Sequence, residues 1–107
     1  IWGTGKPLRE FLYVDDLSKA IEYLIFNKPE ESLLNIGSGV EITIYDLAKK
    51  IKEVVEFEGQ LNFDSTKPDG NPRKLLDSST INKLGWSPEV NLDNGLRLTY
   101  KWYLNNL

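Results

Sequence analysis

Two segments of the chain contain cationic side chains of the kind that bind phosphate groups. One has Arg9 at the head of an apolar segment, and the other, Asp69-Gly70-Asn71-Pro72-Arg73-Lys74, has two adjacent cations behind a turn rich in glycine and proline. A guanidinium can bind a phosphate through two parallel hydrogen bonds, and an ammonium such as that of Lys74 supplies a point charge to a diphosphate. The pattern therefore indicates an anion site. The alternative is surface ion pairing, of Arg9 with Glu10 or an aspartate, and of the second segment among its own charges.

Trp2, near the start of the chain, and two residues of the second segment suit contacts with a sugar or a base. Trp2 offers a rigid apolar face that could cover a ring, although it could equally pack on the rest of the domain. Asp69 is an acceptor for the hydroxyls of a sugar or the N–H groups of guanine. Arg73 could contact the sugar or base, join Lys74 at the anion, or brace the loop. The candidate binding residues are therefore Trp2, Arg9, Asp69, Arg73 and Lys74.

The chain lacks the side chains that acid–base and nucleophilic catalysis most often use. It has no cysteine and no histidine. A tyrosine with a lysine four residues later can serve carbonyl reduction, and only Tyr45 with Lys49 has this spacing, which is also common on the outside of a helix. Gly37-Ser38-Gly39 is not a dinucleotide-binding pattern, because Ile42 stands where the third glycine would be. Without His, Cys or the spacing of a calcium loop, no metal site is indicated. We therefore predict no catalytic, cofactor-binding or metal-binding residue in this chain.

Composition and charge narrow the class of partner. With 107 residues, 40% of them hydrophobic and 27% charged, the chain suits one small domain spanning residues 1–107. A net charge of −3 argues against a nucleic acid partner and favours a small ligand in a local cationic pocket. No apolar run approaches the roughly 20 residues that cross a bilayer, so no membrane partner is expected. The absence of cysteine is compatible with the cytoplasm, which is the predicted location.

The hydrophobic pattern predicts short strands alternating with helices, and hence an α/β unit in which a small sheet is covered by flanking helices. Asp15 or Asp16 is expected to cap the first helix and Thr43 the second, while Gly85 ends the third. Trp86 is expected to cover the core. The predicted strands are residues 10–14, 33–36 and 60–63; the predicted helices are 17–27, 44–57, 80–84 and 92–104; and a long loop is predicted over 64–73.

Several segments, distributed from end to end, resemble a known family. Those from Arg9 to Asp16 and from Asn35 to Gly39 are general to the extended short-chain dehydrogenase/reductases, whereas the motif between Lys67 and Asp77 points to the GDP-L-fucose synthases. The chain resembles the C-terminal, substrate-binding part of that family. The matching segments are Trp2-Gly3-Thr4-Gly5 with Pro7, Arg9-Glu10-Phe11-Leu12, Val14-Asp15-Asp16-Leu17, Asn35-Ile36-Gly37-Ser38-Gly39, Lys67-Pro68-Asp69-Gly70, Pro72-Arg73-Lys74-Leu75-Leu76-Asp77, Leu84-Gly85-Trp86, Gly95-Leu96, Thr99-Tyr100 and Trp102-Tyr103-Leu104.

The resemblance implies a substrate-binding subdomain without the Rossmann cofactor domain, from an enzyme that epimerises GDP-4-keto-6-deoxy-D-mannose and reduces it with NADPH to GDP-L-fucose. It implies that NADP is bound by the N-terminal domain, that the complete enzyme is a homodimer, and that this part is a monomer. It also implies that a GDP-sugar contacts Trp2, Arg9, Asp69 and Lys74, with Arg73 as a further candidate. Because the residues at Ile1 resemble the interior of a loop and no initiator methionine is present, we expect a partial chain that is inactive alone.

Two alternative functions stay open. The chain could be the equivalent region of another nucleotide-sugar epimerase or dehydratase, with a different base and sugar. It could also be a stand-alone nucleotide-binding module without chemistry, which would need a natural start near Ile1.

Overall fold

The chain forms three strands and four helices. The computed structural model describes residues 1–107. In chain order the elements are β1 (Leu8–Glu10), α1 (Val14–Asn27), β2 (Glu41–Thr43), α2 (Ile44–Val54), β3 (Arg73–Lys74), α3 (Ser79–Leu84) and α4 (Leu92–Asn105).

The strands form one mixed sheet with β1 in the centre, in the order β2-β1-β3. β1 pairs antiparallel with β2, where Arg9 lies opposite Ile42, and parallel with β3, where Arg9 lies opposite Lys74. The predicted small sheet with flanking helices is therefore confirmed. Paired side chains share a face of a sheet, and successive side chains alternate between faces. One face accordingly has Arg9, Ile42 and Lys74, and the other has Leu8, Glu10, Glu41, Thr43 and Arg73.

The predicted strand boundaries are wrong. The run at residues 10–14 was expected to be a strand, but β1 ends at Glu10 and α1 begins at Val14. Its apolar residues are used for packing without strand pairing, since Leu12 contacts the core. Residues 33–36 form no strand, and Ile36 likewise packs against the core. Residues 60–63 are not a strand either, and the nearest pairing is an isolated bridge between Trp2 and Asp64, just beyond them.

The first helix is present but is not capped as predicted. α1 starts three residues earlier than expected, with Tyr13 as N-cap and no side-chain hydrogen bond to the free N–H groups. Asp16 lies inside the first turn and is buried. Its Oδ2 accepts hydrogen bonds from the backbone N–H groups of Glu89 (3.2 Å) and Val90 (2.9 Å). The carboxylate therefore anchors the 89–90 loop to α1 instead of capping the helix.

The other helix ends agree better with the sequence patterns. Thr43 caps α2, its Oγ1 accepting the N–H of Asp46 at 3.0 Å, and Asn91 caps α4 through the N–H of Asn94 at 2.9 Å. Gly85 closes α3 with φ of 112°, in the left-handed region that favours glycine. α2 ends at Val54, earlier than expected, where Glu56 takes a positive φ of 54°.

The core is small and lies between α1 and α3. Its buried apolar residues are Ala20, Ile81 and Trp86, which confirms the predicted place of Trp86. No helix is long and apolar enough to cross a membrane. Partly buried side chains surrounding the core are those of Leu12, Tyr23, Leu24 and Ile36.

Candidate functional site

Arg9 and Lys74 are neighbours across the β1–β3 pair and lie on the same face of the sheet. Nη1 of Arg9 donates to the carbonyl oxygens of Leu8 (2.6 Å) and Asn71 (2.8 Å). These bonds hold the guanidinium beside the start of β3, and they leave Nε and Nη2 without a partner within the chain. Arg9 forms no ion pair, so the alternative of pairing with Glu10 or an aspartate is wrong.

The two adjacent cations of β3 have different surroundings. Arg73 on the opposite face makes a bidentate pair with Glu41, with Nε–Oε1 and Nη2–Oε2 both at 2.7 Å. This hydrogen bonding lowers the pKa of Glu41 and raises the pKa of Arg73. Lys74 makes no ion pair and is exposed. Arg73 thus braces β3 against β2 across the central strand, whereas the charge of Lys74 is free.

Trp2 is fixed through its backbone while its indole projects into solvent. Asp64 accepts from the N–H of Gly3 at 2.9 Å and donates its own N–H to the carbonyl of Ile1 at 2.7 Å. The Trp2 side chain is 76% exposed, so it does not pack into the core as the alternative required. The ammonium of Lys67 lies 5.6 Å from the centre of its ring, within cation–π range.

Asp69 ties the Trp2 loop to the loop that precedes β3. Its Oδ2 accepts from the hydroxyl of Thr4 at 2.6 Å, and its Oδ1 accepts from the Thr4 N–H at 2.8 Å. The hydroxyl and then the backbone N–H of Thr4 lower the pKa of Asp69. Gly3 permits this contact, since a Cβ there would lie 2.2 Å from Oδ1 of Asp69, at a φ of +83°. Asp69 is therefore ionised and already bound on both oxygens, each of which keeps a further lone pair.

The predicted residues lie on three segments that contact one another. Asp69 bonds to the Trp2 loop, and Asn71 bonds to Arg9. Gly70 passes so close to Arg9 that a Cβ there would lie 3.1 Å from Nη2. The result is a surface with two unneutralised cations, Arg9 and Lys74, bordered by a carboxylate and an exposed indole.

Glu10, on the opposite face of the sheet, has contacts beside this surface that its sequence position did not indicate. Its Oε1 accepts from the N–H of Leu76 at 2.7 Å, and its Oε2 accepts from the N–H of Gly39 at 3.0 Å. A Cβ on Gly37 would lie 2.6 Å and 2.7 Å from the two carboxylate oxygens. The glycines of the 37–39 turn could have indicated this contact in the sequence, because a glycine often lies where another group approaches the backbone closely.

The residues of this chain do not fit a dinucleotide. The Gly37-Ser38-Gly39 turn uses the N–H of Gly39 for the Glu10 carboxylate, which would repel a phosphate at that position. Tyr45 and Lys49 do not form a hydrogen-bonded pair: the ammonium lies 4.4 Å from the centre of the Tyr45 ring, which also packs on Phe63. No cluster of three or more Asp, Glu, His or Cys side chains is placed to hold a metal ion.

Comparison with known proteins supports the resemblance on which the site was predicted. The model of the NAD dependent epimerase/dehydratase family matches residues 1–37. The GDP-L-fucose synthase 1 of Arabidopsis thaliana is 57% identical over 107 residues, which cover 100% of this chain and 33% of that protein. The similarity to the GDP-L-fucose synthases is therefore confirmed along the whole chain.

Solved structures agree on the fold. The GDP-L-fucose synthetase of Naegleria fowleri bound to NADP has a TM-score of 0.90 at 28% identity, over 99% of this chain and 34% of that one. A GDP-6-OMe-4-keto-L-xylo-heptose reductase from C. jejuni has a TM-score of 0.89 at 36% identity, over 100% of this chain and 34% of that one. The chain spans about a third of the length of these relatives and has the fold of the corresponding part of an extended short-chain dehydrogenase/reductase.

Proposed function

We propose that this chain, similar from end to end to the GDP-L-fucose synthases, is the substrate-binding part of such an enzyme and holds its GDP-sugar. The complete enzyme would convert GDP-4-keto-6-deoxy-D-mannose to GDP-L-fucose by epimerisation and NADPH-dependent reduction. The observation that carries the proposal is the pair of neighbouring cations, Arg9 and Lys74, on a sheet face from which Glu10 and Glu41 point away. The catalytic side chains come from outside these residues, since the chain has neither His nor Cys.

The diphosphate of the GDP-sugar suits the two cations. Nε and Nη2 of Arg9 have no partner in the chain and can both donate to one phosphate, which is the bidentate geometry that guanidinium groups favour. Lys74 adds a second positive charge beside it. Charge-assisted hydrogen bonds of this kind contribute about 1.5–3 kcal/mol each. Arg73 contributes indirectly, by holding β3 through Glu41.

The uncharged parts of the ligand suit Trp2 and Asp69. The exposed indole gives a flat apolar face for a base or sugar ring. The hydrogen bonds of Ile1 and Gly3 with Asp64 hold the backbone on either side of Trp2, so little backbone entropy is lost when a ligand binds. The unused lone pairs of Asp69 accept hydrogen bonds from sugar hydroxyls or guanine. Thr4 holds that carboxylate in place and ionised.

An apolar stripe on α1 supports the proposal that the rest of a longer protein packs against this chain. Val14, Leu17, Ile21 and Ile25 follow one another at spacings of three and four, and 39% to 63% of each side chain is exposed. The relatives of this chain contain additional residues, about twice as many as this chain has, that could cover such a surface. We assign to that additional part the binding of NADP, the catalytic groups and the contacts of a homodimer, and we predict a cytoplasmic location.

A competition experiment on the complete protein tests the proposed function and separates it from its alternatives. Binding of a fluorescent GDP derivative would be displaced with GDP, UDP and dTDP. We expect GDP to compete at least about tenfold better, because guanine-specific hydrogen bonds are lost with the other bases. Stronger competition by UDP or dTDP would indicate another nucleotide-sugar epimerase or dehydratase. GDP binding without turnover of any keto-sugar would indicate a binding module.

A further inference from the structure

We propose that Glu10 is a positioning residue for the phosphate-binding cation Lys74, which rests on the proposed function above. β3 has only two residues, and the β1–β3 pairing includes the bond from the N–H of Leu8 to the carbonyl of Pro72 at 2.9 Å. Beyond Lys74 the strand pairing ends. The next restraint along the chain is the bond from the N–H of Leu76 to Oε1 of Glu10, at 2.7 Å. The side chain of Glu10 therefore continues the attachment of β3 to the central strand.

Two carboxylates brace β3, and both lie on the face opposite the cationic one. Glu41 holds the side chain of Arg73, and Glu10 holds the backbone of Leu76. Because Glu10 alternates with Arg9 along β1, its negative charge points away from Arg9 and Lys74. This arrangement fixes the position of Lys74 without neutralising the charge that the diphosphate needs.

Glu10 also couples this strand to the 37–39 turn. Its second oxygen accepts from Gly39, and Gly37 lies so close that any side chain there would displace the carboxylate. Gly37→Ala should therefore disturb the same contacts as a change of Glu10 itself. Gly37→Ala and a change of Glu10 alter different residues but disturb the same carboxylate. If both give the same kinetic effect, the effect comes from the Glu10 contacts and not from either residue alone.

The first test is the steady-state kinetics of Glu10→Gln in the complete enzyme. Gln has the size of Glu but turns an N–H group towards one of the two backbone donors, so one hydrogen bond is lost. We expect the KM for the GDP-sugar to rise about tenfold, which corresponds to one charge-assisted hydrogen bond, with kcat and the KM for NADPH within about twofold. Gly37→Ala should give the same pattern. Glu58→Gln, an exposed carboxylate without a hydrogen-bond partner, is the matched control and should change nothing.

A double-mutant cycle tests whether Glu10 acts through Lys74. If it does, Glu10→Gln should have little further effect on the KM once Lys74→Ala is present, because the group it positions is gone. Additive effects would overturn the inference, as would an unchanged KM in Glu10→Gln or a parallel loss of kcat and NADPH affinity. If the wild-type enzyme and the Glu10→Gln variant bind the GDP-sugar equally well, only the role of Glu10 is refuted. A wild-type enzyme that binds no GDP-sugar removes the proposed function and the inference together.

Discussion

Arg73 and Lys74 are successive residues, but the sheet gives their charges different roles. Alternation places Arg73 on the face of Glu41, which neutralises it, and Lys74 on the face of Arg9, where no residue of the three strands is acidic. The sequence motif alone could not separate these roles, because it does not state which residue pairs with Glu41, 32 positions away. The structure favours bracing by Arg73, one of the roles that the sequence left open. Direct contact of Arg73 with the substrate stays the alternative, and separate substitutions distinguish the two.

Substituting the two cations separately should show this difference in GDP affinity. Lys74→Ala in the complete protein should weaken GDP binding about tenfold, because a free charge next to the diphosphate is lost. Arg73→Ala should weaken it by about threefold or less, since the lost pair with Glu41 is a partly exposed ion pair of small energy and the bond from Leu76 to Glu10 still holds β3. Calorimetric titration with GDP at low and high salt would measure both. An Arg73→Ala effect as large as that of Lys74→Ala would contradict the assignment.

The Thr4–Asp69 contact should appear in a titration of Asp69. Its lowered pKa means that this contact is fully present above the ordinary pKa of an aspartate, about pH 4, and is lost as the pH falls through the lowered value. Thr4→Val removes the hydroxyl donor but keeps the N–H, so the pKa of Asp69 should rise towards the ordinary value. NMR titration of the carboxyl carbon measures this, and an unchanged pKa in Thr4→Val would show that the hydroxyl is not the cause.

The helices could be predicted from the sequence, whereas the strands could not. The helices have local signals, such as Thr43 before α2 and Gly85 after α3, which the chain carries within a few residues of each end. The strands are two or three residues long and depend on partners far along the chain, so the apolar runs at 10–14 and 33–36 were mistaken for them. The hydrogen bonds of the Glu10 and Asp16 carboxylates could not be predicted for the same reason. Their partners are backbone N–H groups outside the helices and strands, which lie 66 and 74 residues away in the sequence and come close only on folding.

Asp16 and Asp15 should differ in their effect on stability. Asp16→Asn replaces a buried acceptor of two backbone N–H groups and should lower the free energy of unfolding by about 1–3 kcal/mol. Asp15→Asn, at an exposed position, should change it by no more than about 0.5 kcal/mol. Urea denaturation followed by tryptophan fluorescence would compare them, because Trp86 lies in the core that this contact closes. Equal effects would show that the anchor to the 89–90 loop contributes nothing.

As a whole molecule the chain is flat and extended. Its extents are 48 × 34 × 18 Å and its radius of gyration is 16.3 Å, whereas about 13 Å is usual for a domain of 100 residues. The core is small, and the stripe of Val14, Leu17, Ile21 and Ile25 faces solvent. Both features are expected of a part that packs on the remainder of a larger protein.

One substitution examined in two contexts tests that packing. In the isolated chain Ile21→Asp should leave the midpoint of thermal unfolding nearly unchanged, because the side chain is already 50% exposed. In the complete protein it should lower the midpoint strongly, since the charge would be buried without a partner. Leu33→Asp, at an exposed position outside α1, is the control and should be tolerated in both. A small effect of Ile21→Asp in the complete protein would mean that the stripe is not covered.

The kinetics of the complete enzyme would show whether Arg9 and Lys74 hold the GDP-sugar of a GDP-L-fucose synthase. NADPH oxidation would be followed with GDP-4-keto-6-deoxy-D-mannose as substrate, in the wild type and in the Arg9→Ala/Lys74→Ala double variant. We predict turnover by the wild type, and in the variant a KM raised more than about tenfold with a much smaller change in kcat. A variant with the KM of the wild type, or a wild type that does not consume the substrate, would contradict the account.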